Sequence, residues 1–225
     1  MSLDAVLKVG GSLGRGDDLP ALCAEIRRLG KKFSLVVVPG GGAFADLVRK
    51  EYRRFRLNET AAHSMALLAM DQYGFLLHHL IEGSLMESEP GNIALTARPG
   101  RVAVLSPSAS VLRDSRLPHS WQVTSDSVAA WVAGQVGCGK LILIKDVDGL
   151  LSPGKSENSV PAVIEEMTLK QLAGHDGGVD RYFARVLGER LPETWVLNGL
   201  RPERLGELLQ TGRTVGTKIG PDFSL

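Results

Sequence analysis

The sequence predicts an α/β fold, a three-layer α/β/α sandwich built on a mainly parallel open sheet. Short β-branched apolar runs alternate with helical patterns from one end of the chain to the other. The runs lack the alternation of apolar and polar residues, which indicates strands covered by helices on both faces. The chain has 225 residues, of which 44% are hydrophobic and 23% charged. These values are typical of one soluble globular domain and exclude disorder, collagen and coiled coil.

The predicted elements follow one another as strand and helix. Apolar runs predict strands at Ala5–Val9, Leu35–Val38, Val102–Leu105, Leu141–Ile144 and Trp195–Leu197, with weaker candidates near Trp121 and Thr214. Apolar residues at helical spacing predict helices at Leu19–Leu29, Phe44–Phe55, Glu59–Ile81, Ser125–Val136, Val179–Leu191 and Pro202–Leu209. Ser152–Ser159 and Met86–Asn92 are predicted loops because they are rich in polar residues and Gly or Pro. This alternation favours a single open sheet.

Charge and cysteine usage narrow the class of protein. The 26 Lys and Arg residues balance 25 Asp and Glu residues, whereas a dedicated nucleic-acid binder carries a basic excess. Cys23 and Cys138 have no metal-site spacing, and two separate thiols fit a reducing compartment. We find neither a signal-peptide pattern nor an apolar run long enough to span a membrane. We therefore expect a soluble cytoplasmic protein without nucleic-acid or membrane partners.

Three glycine-rich turns each follow a predicted strand. They are Gly10–Ser12, Gly40–Gly42 and Asp146–Gly149. Ligands of open α/β sheets bind beyond the carboxyl ends of the strands. Glycine at that position lets backbone N–H groups approach phosphate oxygens. In any one of these turns the glycines could serve only to make a tight turn. Three such turns in equivalent places of one sheet favour a phosphate-binding site.

Two charged residues close to these turns are candidates for catalysis. Lys8 ends the first strand, where its ammonium can meet a transferring phosphoryl group. An exposed strand-end lysine is the alternative. Asp126 opens a predicted helix, where an ordinary helix cap is the alternative. The basic run Arg49–Arg56 is explained most simply as a solvated helix face, and Gly216–Lys218 supplies a further glycine turn and cation.

Together these motifs resemble those of the amino acid kinase family. The matches are Lys8–Ser12 with the opening KxGGS, Pro39–Gly42 with the second glycine turn, Ser125–Asp126 with the central Asp, Asp146–Leu150 with the nucleotide-side turn and Gly216–Ile219 with the closing GTxI. His119–Ser127 and Asn198–Arg204 resemble the branch that phosphorylates [5-(aminomethyl)furan-3-yl]methyl phosphate for methanofuran-type cofactors. The resemblance covers nearly the whole chain. It implies an ATP-dependent small-molecule kinase of the amino acid kinase fold that uses Mg²⁺.

The resemblance also implies a role for each matched residue. The catalytic residues would be Lys8, stabilising the transferring phosphoryl group, and Asp126, orienting the lysines. Nucleotide binding would involve Gly10, Gly11, Ser12, Lys145, Asp146, Asp148, Gly149, Gly216, Thr217 and Lys218, and acceptor binding Gly40, Gly41, Gly42, Ser125 and Asp180. No protein ligand for a metal is expected. Many relatives carry a second catalytic lysine that Gly177–Tyr182 lacks, so Arg181 or Lys218 is expected to supply that cation.

We expect one domain of two lobes, residues 1–119 for the acceptor and 120–225 for ATP, with no regulatory extension after Leu225. Besides the furanmethyl phosphate, the acceptor alternatives are uridylate, isopentenyl phosphate and an amino-acid carboxylate, since a cation and backbone donors suit all of them. A nucleotide-binding protein without catalysis is the remaining alternative, against which Lys8, the glycine turns and Asp126 argue together. The apolar helix Glu59–Ile81 predicts a homo-oligomer.

Overall fold

The computed structural model describes residues 3–114, 116–152, 162–188 and 192–221. Its strands are β1 (Leu3–Val9), β2 (Leu35–Pro39), β3 (Leu85–Glu87), β4 (Ala103–Leu105), β5 (Cys138–Lys145), β6 (Glu166–Thr168), β7 (Glu193–Asn198) and β8 (Thr217–Gly220). Its α-helices are α1 (Leu19–Gly30), α2 (Gly42–Phe55), α3 (Glu59–Leu80), α4 (Ile93–Thr96), α5 (Ser108–Arg113), α6 (Ser125–Val136), α7 (Leu169–Ala173), α8 (Phe183–Leu187) and α9 (Glu203–Thr211). Two 3₁₀ turns span Gly11–Arg15 and Pro90–Asn92.

All the described strands belong to one sheet, in the order β3-β4-β2-β1-β5-β7-β8-β6. Neighbouring strands run parallel except β7 and β8, which are antiparallel. β1 lies between β2 and β5, and Val9 pairs with Pro39 on one side and Ile144 on the other. The predicted α/β class with a mainly parallel sheet is confirmed. The glycine turns that follow β1, β2 and β5 consequently meet at one edge of the sheet.

The central strands send alternate side chains into two apolar layers. Val6 and Leu143 pack in the layer that contains α6 and α8, whereas Leu7 and Ile142 pack in the layer that contains α1 and α9. All four side chains are fully buried, and each contributes about 1.5–3 kcal/mol by leaving water. Helices therefore cover both faces, as the unbroken apolar runs predict. Within the described residues, no helix is both long and apolar enough to cross a membrane.

Short edge strands and turns are where the structure departs from the predicted elements. The weak strand near Trp121 is wrong, because that residue lies in a turn, and the one near Thr214 begins only at β8. β3 occupies part of the predicted loop Met86–Asn92, and β6 was not predicted. Both have three residues and lie at the sheet edges, which is too short for a recognisable pattern.

The predicted helix Val179–Leu191 is shortened to α8. The carboxylate of Asp180 accepts from the N–H groups of Tyr182 and Phe183, which places the start of the helix after Asp180. Residues 189–191 lie outside the described part of the chain, as do residues 153–159 of the predicted loop Ser152–Ser159.

Candidate active site

Lys8, Asp126 and Lys145 form a buried group, termed here the Lys–Asp–Lys cluster, at the carboxyl edge of the sheet. Both lysines lie on the face covered by α6, because alternate residues of paired strands share a face and Val6 and Leu143 precede them there. Asp126, in the first turn of α6, lies between them. Its Oδ1 is 2.9 Å from Lys8 Nζ, and its Oδ2 is 2.8 Å from Lys145 Nζ. Two ammonium groups thus share a single carboxylate.

Burial sets the electrostatics of this cluster. The side chains of Lys8 and Asp126 are only 6% and 5% exposed. Burial lowers the pKa of Lys8, an effect opposed by Asp126 and reinforced by Lys145. Burial alone would raise the pKa of Asp126, but the two lysines hold that pKa below its ordinary value. A buried site with one more cation than anions stabilises an incoming anionic phosphoryl group.

The first two glycine turns contact each other beside Lys8. A Cβ on Gly11 would lie 2.2 Å from the Gly42 nitrogen, and a Cβ on Gly40 would lie 2.6 Å from the Gly11 nitrogen. Backbone therefore packs directly on backbone, which only glycine allows. The structure brings the predicted phosphate-binding residues of both turns together at this edge: Gly10, Gly11, Ser12, Gly40, Gly41 and Gly42.

The turn that follows β5 is tied to the segment after β7. Asp148 accepts a hydrogen bond from the Asn198 amide at 2.8 Å and forms an ion pair with Arg204 at 2.5 Å. These two contacts lower the pKa of Asp148. Asp146 is exposed at the start of the same turn. Two motifs that are far apart in the sequence thus form a single surface.

Thr217 fixes the other end of this turn. Its hydroxyl accepts from the Leu150 N–H at 2.7 Å and donates to the Ile164 carbonyl at 2.6 Å, and the residue is fully buried. These contacts give Thr217 a role in positioning the turn, and its contact with nucleotide stays a prediction. A Cβ on Gly149 would lie 2.6 Å from Thr217 Oγ1, and a Cβ on Gly216 would lie 2.6 Å from the Val196 carbonyl oxygen, so close packing requires both glycines.

Asp180 joins two helix N-termini. Its carboxylate accepts from the N–H and hydroxyl groups of both Thr124 and Ser127, and from the N–H groups of Tyr182 and Phe183. Six donors occupy the two carboxylate oxygens. These contacts position the start of α6, and with it Asp126, while acceptor binding by Asp180 stays a prediction.

Lys218 lies on the other side of the sheet from the Lys–Asp–Lys cluster. It pairs with Trp195 across β7 and β8, with Nζ 5.9 Å from the indole ring. Trp195 belongs to the layer that contains α1 and α9. Arg181 is exposed. Arg181 or Lys218 was the residue expected to supply the second cation, whereas the second ammonium beside Asp126 is that of Lys145.

A pocket opens between α2, α3 and the start of α6. Gly41 and Ser125, both predicted acceptor-binding residues, line it together with Arg49, His63 and Trp121. The rest of the lining is mainly apolar. The sequence analysis did not identify these last three residues as a binding surface. No local spacing links them, because three separate segments supply them.

Comparisons with family models, curated proteins and solved structures agree on one family. The model described as "Amino acid kinase family" matches residues 5–184. A [5-(aminomethyl)furan-3-yl]methyl phosphate kinase of Methanocaldococcus jannaschii is 28% identical over 220 residues, covering 95% of this chain and 96% of its own. A uridylate kinase of Methanococcoides burtonii is 25% identical, with coverage of 96% and 97%. The crystal structure of uridylate kinase from Archaeoglobus fulgidus superposes with a TM-score of 0.76 at 20% identity, covering 97% of this chain and all of that one.

Proposed function

This chain belongs to the amino acid kinase family and is a small-molecule kinase, and we propose that it transfers the γ-phosphoryl group of ATP to [5-(aminomethyl)furan-3-yl]methyl phosphate. The observation that carries the proposal is the buried Lys–Asp–Lys cluster beside two contacting glycine turns. The acceptor is supported by the relative of that name, which aligns over nearly the full length of both chains.

The cluster suits phosphoryl transfer because this reaction needs charge screening and alignment more than covalent help. An oxygen of the acceptor phosphate attacks the γ-phosphorus, the bond to the bridging oxygen of ADP breaks, and a diphosphate forms. Both reactants are anionic. Lys8 and Lys145 would screen their repulsion and stabilise the charge of the transition state. Asp126 would act as a positioning residue that fixes both ammonium groups.

We propose that Mg²⁺ binds to the protein together with the nucleotide. The described residues contain no group of three or more His, Cys, Asp or Glu side chains that could hold a metal ion. Mg²⁺ commonly keeps several waters and binds substrate phosphates instead of a protein cage. When bound with ATP, Mg²⁺ would reduce the negative charge of the phosphates. Asp146, exposed at the turn after β5, would lie on the nucleotide side.

We propose that the acceptor occupies the pocket beside Gly41, with its phosphate toward the glycine turns. The pocket's mainly apolar lining suits a small ring. Residues 1–119 would supply most of this site and residues 120–225 the nucleotide site, although Trp121 and Ser125 also line the acceptor pocket. The two lobes would thus share the acceptor.

Two further parts of the proposal concern assembly and location. Leu68 and Phe75 of α3 are 51% and 61% exposed and lie seven residues apart, on one face of the helix. A second copy that presents the same helix would cover this apolar face. The unpaired thiols of Cys23 and Cys138 support a cytoplasmic location.

An acceptor screen tests the proposed function. The purified protein is mixed with Mg-ATP and one candidate acceptor, and ADP release is followed in a coupled assay. The candidates are the furanmethyl phosphate, uridylate, isopentenyl phosphate and N-acetylglutamate. We expect kcat/KM to be highest for the furanmethyl phosphate. Faster ADP release with any other candidate would contradict the proposed acceptor, and release with none of them would contradict all four substrates.

A further inference from the structure

His63 is a buried polar side chain that the catalytic proposal does not use. It lies on α3, is 2% exposed and lines the pocket beside the second glycine turn. Its Nε2 atom is buried and has no hydrogen-bond partner within the described residues. An unpaired buried polar atom costs stability. Such an atom in a pocket wall indicates a ligand that completes the hydrogen bond.

The protonation state of the ring decides what Nε2 can do. Burial, followed by the nearby His119, lowers the pKa of His63, against an opposing effect of the Ser120 backbone, and so favours the neutral imidazole. A neutral imidazole has one nitrogen that donates and one that accepts a hydrogen bond. In the tautomer that carries its proton on Nδ1, the unpaired Nε2 is a hydrogen-bond acceptor.

Aromatic rings hold this part of the pocket in place. His63 stacks on His119 with ring centroids 5.3 Å apart, and Trp121 stacks on Tyr52 at 5.2 Å. Arg49 also lines the pocket, but its guanidinium is paired with Asp46 at 2.6 Å. No carboxylate lines the pocket among the described residues. His63 therefore offers a neutral acceptor in rigid, mainly apolar surroundings.

We propose that His63 determines specificity by accepting a hydrogen bond, through Nε2, from an amine or hydroxyl at the end of the acceptor distant from its phosphate. This inference rests on the proposed function and deepens it. The substrate class becomes a phosphorylated small ring whose opposite end carries an N–H or O–H donor. An analogue with a methyl group there would leave Nε2 unpaired and would be rejected, because a site built for a hydrogen bond discriminates against a ligand that lacks the donor.

The test compares two acceptors in three variants. The acceptors are the proposed furanmethyl phosphate and its analogue in which methyl replaces aminomethyl. The variants are His63→Phe, which removes the acceptor atom, His63→Gln, which restores an acceptor near Nε2, and His79→Phe, the same change at an exposed position of α3. Steady-state kinetics give kcat/KM for each pair, and thermal melts without ligand check the fold.

In the wild type we expect the amino acceptor to be preferred at least about tenfold in kcat/KM. His63→Phe should reduce this ratio toward one, His63→Gln should restore part of it and His79→Phe should leave it unchanged. Because Phe removes an unpaired polar atom, the melting temperature should not fall. A preference that survives in a folded His63→Phe variant overturns the role of His63 but leaves the proposed function intact. No transfer to either acceptor by the wild type overturns both.

Discussion

At the scale of single residues, Lys8 differs from an ordinary strand-end lysine because its ammonium group is buried. A lysine at a strand end is ordinarily exposed, and the sequence left that alternative open. Here Lys8 is 5% exposed and its nearest counter-charge is shared with a second lysine. Asp180 adds a weaker attraction for Lys8. Two ammonium groups around one carboxylate can also accept an incoming phosphoryl group, whose negative charge they would stabilise.

Replacing either lysine of the cluster by methionine tests this charge balance. Lys8→Met and Lys145→Met should each lower kcat by about 10²–10³-fold, the usual effect of losing one preorganised electrostatic contact. Thermal stability should change little, because Asp126 keeps one partner in each variant. Lys140→Met is the matched control, since Lys140 lies at the opposite end of β5 and pairs with Glu193. A cluster variant as active as this control would show that its lysine does not act in transfer.

Asp126→Asn, unlike the lysine variants, should lower stability as well as activity. It leaves two buried ammonium groups without their carboxylate, so the free energy of unfolding should fall by about 3–5 kcal/mol at pH 7. The kcat should fall more than KM changes, because positioning is lost while acceptor contacts remain. Urea denaturation and steady-state kinetics measure the two effects. Unchanged kcat with unchanged stability would return Asp126 to the role of a helix cap.

The stability difference between the wild type and Asp126→Asn should depend on pH in one direction. The pKa of Asp126 is depressed in the folded state, so its stabilisation is present above its unfolded pKa and is lost as the pH falls through the folded value. The stability gap between wild type and Asp126→Asn should be constant from about pH 7 to pH 5 and narrow below about pH 4. Urea denaturation across this range checks it. A gap that widens in acid would contradict an ionised Asp126.

Sequence reasoning predicted Lys8 and Asp126 as catalytic residues but did not place Lys145 beside Asp126. Lys8 and Asp126 each stand next to a recognisable turn or helix start. That Lys145 shares a face with Lys8 depends on β5 pairing with β1 in one particular register, and residue spacing contains no such information. The contacts of Asp180 could not be predicted for a related reason, because some of its six donors belong to Thr124 and Ser127, which are distant in sequence.

At the scale of elements, contact between the two glycine turns positions the proposed phosphate site. The turns follow neighbouring parallel strands, so they necessarily meet. Their backbones lie too close for any side chain at Gly11. The sequence predicted both turns and the strands β1, β2, β4, β5 and β7, because their apolar runs have a clear pattern. It missed β3 and β6, since a three-residue strand at a sheet edge shows almost no such pattern.

Gly11→Ala tests that contact. The added methyl would lie 2.2 Å from the Gly42 nitrogen, so the turns must separate at a cost of about 1–3 kcal/mol, and kcat/KM should fall with them. Gly91→Ala is the matched control, because nothing lies within 4 Å of its Cβ position. Chemical denaturation and kinetics compare the two. If both variants behave alike, the turns do not need their close approach.

At the scale of the whole molecule, the exposed face of α3 is expected to join two copies. Leu68→Lys places a charge in that apolar face and should shift the protein to monomers in sedimentation velocity. Leu95→Lys is the control, since Leu95 is 78% exposed on α4 and lies outside the proposed interface. A wild type that is monomeric at every concentration, or identical behaviour of both variants, would contradict assembly through α3.

Phosphorus NMR of a reaction with Mg-ATP and the furanmethyl phosphate follows the proposed phosphoryl transfer itself, which the Lys–Asp–Lys cluster would promote. We expect the acceptor's single phosphate signal to be replaced by the two coupled signals of a diphosphate, with one ADP formed for each. A folded Asp126→Asn sample should produce these signals far more slowly. Release of inorganic phosphate without diphosphate, or equal rates for both proteins, would rule out this transfer by the cluster.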